Sequence, residues 1–277
     1  MVQIRSKREL AAMRKSGELT SRVLFELTKH VQPGVSLLEL NKIAEELTLS
    51  FGAKPAFKGY LGFAHSLCAS VNEQVVHGVP SERKLVEGDV IGLDFGLVYE
   101  GFYGDSAVTV GVGKISEKAK KLMQVTKDSL YSAIDASREG NTLKDIAKAI
   151  EQTIKPHGYG IVREFVGHGI GTRLHEDPQV ANYEAGASNL RLKAGMTIAI
   201  EPMVNEGTHR VRVLGDKWTV TTEDGGLSAH YEHTIAITDS DPEILTSWTT
   251  VLNEAQSTQP LDIIKKGAYG QRGSNPS

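Results

Sequence analysis

The sequence predicts an α+β fold in which two related halves share a central antiparallel sheet covered by helices. An internal repeat is the main observation. LVEGDVIGLD at 85–94 and LKAGMTIAIE at 192–201 share the pattern L-x-x-G-x-x-I-x-(L/I)-(D/E). GVSLLELNKIAE at 34–45 and GNTLKDIAKAIE at 140–151 form a second matching pair. Two copies of one plan pack most simply about a pseudo-twofold axis, with their sheets joined across it.

Local patterns give each half the same order of elements, helices first and then a pair of strands. The charged N-terminal stretch is amphipathic and predicts the first helix. Ser36 and Thr142 each precede an acid-rich first turn, which is a helix N-cap signal. The Val, Ile, Phe and Tyr residues of 90–110 predict two strands, and DSAVTV at 105–110 parallels EHTIAI at 232–237.

Composition is consistent with one globular domain over residues 1–255, with halves at about 1–112 and 113–255. The chain has 277 residues, of which 40% are hydrophobic and 23% charged, enough apolar material for a sizeable core. From Gln256 onward, glycine, serine and polar residues replace apolar periodicity. Residues 256–277 are therefore expected to form a disordered polar tail.

Charge and cysteine content argue against several classes of protein. A net charge of −3 gives no reason to expect specific nucleic-acid or membrane binding. Cys68 is the single cysteine, so an intramolecular disulfide and a CxxC metal site are excluded. No stretch resembles a signal peptide or reaches the 18 apolar residues of a membrane span. We expect a cytoplasmic protein that is a monomer by default.

Each half carries acidic residues on its strands, where apolar core residues are expected. Asp94 and Asp105 lie in the first half, and Glu201 and Glu232 hold the matching positions in the second. Burying four carboxylates without partners would be strongly unfavourable, since even one isolated buried charge is costly. Oxygen-rich sites suit divalent metals, and two ions about 3.5 Å apart would let carboxylates bridge them. The alternative, four acids at solvent-facing strand ends, is disfavoured by their equivalent placement.

A histidine between glycines suggests a further ligand. In FVGHGIGTRLHE, His168 is flanked by Gly167 and Gly169, which allow a tight turn close to a metal. His175 follows seven residues later. Taken alone, such a histidine is more often a turn residue, but converging acids favour the ligand role. The segment lacks the GxGxxG spacing of a phosphate-binding loop.

Together, the motifs GLDFG, FYGDSAVTV, VGHGIG, AIEP and SAHYEHT resemble the metal-binding signature of the type I methionine aminopeptidases. These enzymes belong to the pita-bread (creatinase/aminopeptidase) metallopeptidases, and the similarity is to their short bacterial form. The match runs from about Ile4 to Thr238. It implies a pita-bread fold, two divalent ions (Co, Mn, Fe or Zn), and removal of N-terminal methionine from nascent proteins when the second residue is small. The implied metal ligands are Asp94, Asp105, His168, Glu201 and Glu232.

The resemblance also implies catalytic roles. Glu201 would be the general acid–base that takes a proton from the attacking water and passes it to the leaving amine. His77 in NEQVVHGVP and His175 in RLHEDP match the histidines beside the substrate, where they would contact the scissile peptide. For His77 the alternative is a turn residue before Gly78 and Pro80. Five further histidines match no catalytic position and are interpreted as surface or supporting residues: His65, His157, His209, His230 and His233.

An apolar pocket for the methionine side chain is implied by the same resemblance. Besides the two histidines, its residues are Phe57, Tyr60, Phe63, Cys68, Leu174 and Trp218. Phe63 replaces a common tyrosine and Leu174 a usual phenylalanine. These departures would either relax discrimination among substrate side chains by about 1–3 kcal/mol or alter tolerance at the second residue of the substrate.

Other functions remain open at this point. Cys68 could pair with His77 or His175 as a nucleophile, although buried thiols are usually inert. An X-Pro aminopeptidase or prolidase-like hydrolase of the same fold is one alternative, and a non-catalytic binding homologue is another. Asn72 and Ser228 match positions where the family can bind a monovalent cation. Basic residues of the first helix and of the tail suggest weak ribosome association: Arg5, Lys7, Arg8, Arg14, Lys15, Lys265, Lys266 and Arg272. The alternative is a charged, solvated helix face and a frayed tail.

Overall fold

The computed structural model describes residues 2–248, so the tail predicted at 256–277 lies outside the described residues. The helices are α1 (Lys7–His30), α2 (Leu37–Ser50), α3 (Glu117–Ala136) and α4 (Leu143–Ile154). The strands of the first half are β1 (Lys54–Pro55), β2 (Cys68–Val71), β3 (Gln74–Val76), β4 (Val90–Tyr99) and β5 (Phe102–Gly111). Those of the second half are β6 (Gly160–Ile161), β7 (Gly167–Gly169), β8 (Glu176–Val180), β9 (Thr197–Ile200), β10 (Met203–Asn205), β11 (Val211–Val213), β12 (Val220–Thr222), β13 (Ser228–His230), β14 (Glu232–Ala236) and β15 (Glu243–Ile244).

Both halves contribute to one antiparallel sheet. Its order is β1-β4-β5-β14-β9-β7-β8, with β2 also paired to β4 and β15 to β14. The sequence repeat matches β4 with β9 and β5 with β14, so the pseudo-twofold axis passes between β5 and β14. The predicted α+β architecture with a shared central sheet is confirmed.

Equivalent capping interactions begin α2 and α4. The Ser36 hydroxyl accepts from the backbone of Glu39, whose carboxylate accepts from the Ser36 N–H. Thr142 and Asp145 form the same reciprocal pair. Such caps contribute about 1 kcal/mol each. They confirm the predicted helix starts and show that the repeat is structural as well as sequential.

Each half packs its helices on the sheet through its own apolar layer. In the first half Leu27, Leu40 and Phe95 are fully buried, and in the second Ile146 and Ile198 are. Each such side chain stabilises the fold by about 1.5–3 kcal/mol. None of the helices within residues 2–248 is long and apolar enough to cross a membrane.

Two small sheets lie beside the central one and carry loops towards a shared cavity. One has the order β13-β10-β6 and the other β11-β12-β3. His77 directly follows β3, and Trp218 lies in the turn between β11 and β12. The small sheets therefore bring segments that are far apart in sequence to the same end of the central sheet.

Candidate metal centre

Strand register places three carboxylates on one face of the central sheet. Asp94 on β4 lies opposite Ala107 on β5, which in turn lies opposite Glu232 on β14. Alternate residues of a strand point to the same face, so Asp105, two positions before Ala107, joins this group. The acids of three adjacent strands, β4, β5 and β14, thus lie on the same face of the sheet.

The second half adds Glu201 and His168 from neighbouring strands. Glu201 directly follows β9, and His168 lies on β7. His168 Nε2 is 3.7 Å from Glu201 Oε1 and 3.9 Å from Asp105 Oδ2. A side chain at Gly167 would collide with the Ala199 carbonyl, so the close approach of β7 to β9 requires glycine there. All five predicted ligands come together.

His168 is oriented and uncharged. Its Nδ1–H donates to the Gly169 carbonyl at 2.9 Å, which leaves the Nε2 lone pair facing the carboxylates. Burial lowers the pKa of His168 to about 3. One ligand atom each from His168, Asp105 and Glu232 lies within 4.8 Å of the others. A neutral imidazole among carboxylates at these separations is the donor set that divalent ions favour.

Two of the carboxylates each have a buried oxygen without a partner among the described residues. Buried Asp105 Oδ1 and Glu232 Oε1 have no hydrogen-bond partner there. Without a metal ion, burial raises the pKa of Asp105 to about 7. Burial and the neighbouring carboxylates raise the pKa values of Asp94, Glu201 and Glu232 well above their ordinary ones. Buried polar atoms are rarely left unpaired, so the site fits bound cations.

The carboxylates open into a cavity of ≈140 Å³ with an apolar end. Its lining includes every residue predicted for the methionine pocket: Phe57, Tyr60, Phe63, Cys68, His77, Leu174, His175 and Trp218. Phe63 packs edge-on against Trp218 with ring centroids 5.1 Å apart. Leu61 also lines the cavity, is 81% exposed, and was not predicted. Its neighbours in GYLGF carry no pattern that separates a cavity residue from an ordinary turn residue.

His175 is held by a hydrogen bond to Tyr60. The Tyr60 hydroxyl lies 2.7 Å from His175 Nδ1, and the rings of His175 and His168 are 4.3 Å apart. Burial lowers the pKa of His175 and raises the pKa of Tyr60, so both groups are neutral near pH 7. The distance fits a hydrogen bond between the hydroxyl and Nδ1, and its direction is set by the tautomer of His175.

His77 adopts an unusual backbone conformation at the cavity wall. Its φ is +57°, in the left-handed region that non-glycine residues seldom occupy. Burial, and then the nearby His175, lower its pKa to about 4. The next residue, Gly78, packs so closely on the Ala69 carbonyl that a side chain there would collide with it. Strained backbone of this kind clusters at functional sites, which favours a site role over a plain turn.

His230 is a further buried group beside the carboxylates. Its Nε2 lies 3.9 Å from Glu201 Oε2 and 4.0 Å from Glu232 Oε2, and has no hydrogen-bond partner among the described residues. His230 is 3% exposed. The sequence left it as either a surface or a supporting residue, and the surface interpretation is wrong. The available signal was its position two residues before Glu232. His233 is also buried, where its Nδ1 contacts the Thr246 hydroxyl at 3.0 Å.

Cys68 and the Asn72–Ser228 pair lie at two further positions with a predicted role. Burial and the nearby charge of Asp94 raise the pKa of the Cys68 thiol well above its ordinary value, which disfavours a nucleophilic thiolate. Asn72 and Ser228 do meet, since the Ser228 N–H donates to the Asn72 carbonyl at 2.9 Å. The Asn72 side chain bonds to Asp89 and Val90. A cation at this position stays a prediction.

Comparison with known proteins identifies the family. Residues 11–239 match the model of metallopeptidase family M24. The chain belongs to this family. Membership of M24 agrees with a divalent metal site built from the Asp, His and Glu cluster.

Similar M24 proteins match almost end to end. The chain is 48% identical to methionine aminopeptidase 1 of Bacillus subtilis and 47% identical to a methionine aminopeptidase of Clostridium perfringens, covering 89% of this chain and 99% of each relative. A solved methionine aminopeptidase from Thermotoga maritima superposes with a TM-score of 0.87 at 44% identity, covering 89% of this chain and 100% of that one. The pita-bread fold predicted from the sequence is confirmed.

Proline-specific M24 enzymes are more distant in both sequence and length. A prolidase from Pyrococcus horikoshii superposes with a TM-score of 0.73 at 25% identity. The match covers 88% of this chain but only 63% of that prolidase.

Proposed function

We propose that this chain is a metal-dependent methionine aminopeptidase that removes N-terminal methionine from peptides and nascent proteins when the second residue is small. The observation that carries the proposal is one cavity in which four carboxylates meet an apolar pocket closed by aromatic rings. A ligand cluster alone is compatible with many hydrolases, whereas the adjoining pocket suits a flexible thioether. The end-to-end matches to methionine aminopeptidases support the same substrate.

Two divalent ions would be held by the five ligands. Asp94, Asp105, Glu201 and Glu232 would offer carboxylate oxygens to these ions, and His168 would offer its Nε2 nitrogen. Bound divalent ions would polarise the peptide carbonyl and lower the pKa of water towards neutrality. Co, Mn, Fe and Zn all suit this donor set, so the ion used depends on supply.

Glu201 would transfer the proton. It lies at the junction of the cavity and the ligand cluster, with its side chain 14% exposed. A carboxylate at this position can accept a proton from the attacking water and deliver it to the amine that leaves. A positioned group of this kind contributes about 10²–10⁴-fold to the rate.

His77 and His175 would stabilise the carbonyl oxygen of the scissile peptide as negative charge develops there. Both are neutral because burial lowers their pKa values, and neutral imidazole can still donate one hydrogen bond. We infer that the Tyr60 hydroxyl donates to His175 Nδ1, which would keep the His175 hydrogen on Nε2. A donor positioned at the oxygen contributes about 2.7–4 kcal/mol.

Hydrolysis of Met-Ala-Ser by chelator-treated protein tests the proposal, with Mn, Co, Fe or Zn added back and Met-Pro and Ala-Pro as controls. Metal-restored release of methionine from Met-Ala-Ser alone would support it and rank the ions. Cleavage confined to the X-Pro peptides would favour the prolidase-like alternative. Bound metal without cleavage of any peptide would favour a binding homologue.

Removing the Tyr60 hydroxyl should weaken catalysis. Tyr60→Phe keeps the ring but loses the hydrogen bond to His175, and such a bond contributes about 0.5–1.5 kcal/mol. We expect kcat on Met-Ala-Ser to fall about 2–12-fold, and the imidazole ¹⁵N shifts of His175 to show a mixture of tautomers. Unchanged ¹⁵N shifts would contradict the tautomer assignment.

Enlarging the pocket wall should sharpen specificity. Leu174 is 2% exposed and lines the cavity, so Leu174→Phe narrows it. We expect the preference for Met over Leu and norleucine peptides to increase by about 1–3 kcal/mol. Equal ratios of kcat/KM across the three peptides in wild type and variant would refute this role.

We infer a cytoplasmic monomer that meets its substrates as nascent chains. Two of the basic residues that suggested ribosome contact are already ion-paired, Arg5 to Glu176 and Arg14 to Glu243. Lys7 and Arg8 are exposed on α1 and are the residues of that helix best placed for such a contact.

A further inference from the structure

Arg5, just before α1, is a buried cation. Its side chain is 5% exposed and forms an ion pair with Glu176, whose side chain is 3% exposed. Its backbone N–H donates to the Gly195 carbonyl at 2.8 Å. Arg5 was expected on a charged, solvated helix face, but it instead joins the start of the chain to the second half of the domain.

The other oxygen of Glu176 closes a short turn. Glu176 Oε1 accepts from the Arg173 N–H at 3.1 Å and from the Thr172 hydroxyl at 3.3 Å. Leu174 and His175 lie inside this turn, and both line the cavity. One carboxylate therefore connects Arg5 to the segment that carries two site residues.

The turn, residues 171–176, is also held at its beginning. The Arg5 guanidinium packs directly on Gly171, where any side chain would collide with it. The Gly171 carbonyl accepts from the Tyr103 N–H of β5 at 2.8 Å. The turn is thus fixed from one side by Arg5 and from the other by the central sheet.

We infer that Arg5 is a positioning residue for the reaction, acting through Glu176 to hold His175 and Leu174 in place in the cavity; this rests on the proposed function. Removing one partner of a buried ion pair leaves the other charge uncompensated. Glu176 then turns towards water and draws the turn with it. A displacement of about 1 Å at a catalytic group can cost about 100-fold in rate.

The test compares Arg5→Met with a matched control, Arg14→Met. Arg14 also links α1 to a distant segment, through bonds of 2.6 and 2.8 Å to Glu243, but its side chain is 49% exposed. Arg5→Met is expected to lower kcat on Met-Ala-Ser at least 10-fold, with a smaller change in KM. It should also raise amide hydrogen exchange in 171–176 at least 10-fold. Arg14→Met should stay within about twofold of wild type in both measurements.

Two further variants keep the test decisive. Arg5→Lys restores a cation and should recover part of the kcat that Arg5→Met loses. If only side-chain volume mattered, the Lys and Met variants would have the same kcat. Glu176→Gln keeps a hydrogen-bond acceptor for the turn but removes the charge that pairs with Arg5. It replaces Arg5→Met in the test if that variant does not fold. We predict that it lowers kcat and reduces the protection of amide hydrogens in 171–176. If Arg5→Met keeps the wild-type kcat and raises amide hydrogen exchange uniformly across the domain, then Arg5 is only structural and the inference is overturned. Wild-type protein inactive on Met-Ala-Ser would refute the proposed function, while the exchange comparison would still decide whether Arg5 holds the turn.

Discussion

Glu201→Gln should lower kcat for Met-Ala-Ser hydrolysis by about 10²–10⁴-fold. The amide has nearly the shape of the carboxylate and keeps an oxygen that can ligate a metal, but it cannot accept the proton of the attacking water. The loss should therefore appear in kcat while metal content, measured by elemental analysis, stays close to that of wild type. A loss of this size would make Glu201 the proton carrier and more than a ligand.

The matched control is Glu206→Gln. Glu206 follows β10, is partly exposed, and faces Lys118 at 3.5 Å outside the cavity, so its replacement should leave kcat within about twofold. Near-wild-type turnover by a metal-loaded Glu201→Gln protein would exclude the proton-transfer role. A large fall in metal content would instead make ligation the main role of Glu201.

Stripping the metal should make the stability of the protein fall as pH rises from about 6.5 to about 8, a range below the ordinary thiol pKa of about 8.5. Folded-state pKa values of Asp94, Asp105, Glu201 and Glu232 are raised, so folding favours their protonated forms, and that stability is lost as pH rises through the raised pKa values. Buried histidines act in the opposite sense: the pKa values of His168, His230 and His233 are lowered to about 3. Their contribution grows as pH rises and is complete near the unfolded value of about 6.5. Between that pH and about 8, the four carboxylates are the shifted groups that lower the stability, because the raised pKa of the Cys68 thiol has an effect only at higher pH.

Thermal unfolding of chelated and metal-loaded protein measures this effect. We expect Tm of the chelated protein to fall by on the order of 5 °C across the window, and the loaded protein to change much less, because bound cations replace the protons. The Asp105→Asn variant lacks one of the titrating carboxylates, so the Tm of its chelated form should depend less steeply on pH. A Tm that rises with pH in chelated wild type would contradict the electrostatic account of the site.

The site was predictable from sequence to the extent that it follows the repeat. Asp94 and Glu201 end matching segments, and strand alternation then directs them and their partners to one face. Leu61 could not be predicted, because its place in the cavity depends on loops from distant parts of the chain. Arg5 was misjudged for a similar reason: helical periodicity describes one helix and its faces, whereas the partner of Arg5 is 171 positions away.

Strands β2 and β7 of the central sheet are related by the pseudo-twofold axis but carry different residues. Strand β2 flanks β4 just as β7 flanks β9, so these outer strands occupy equivalent places about the pseudo-twofold axis. They carry different chemistry, since β2 places Cys68 in the apolar wall and β7 places His168 among the ligands. A strictly twofold cavity would accept a peptide chain in either direction. The divergence of these two short strands is one source of the asymmetry that the proposed aminopeptidase needs in order to distinguish the amino end of a chain from its carboxyl end.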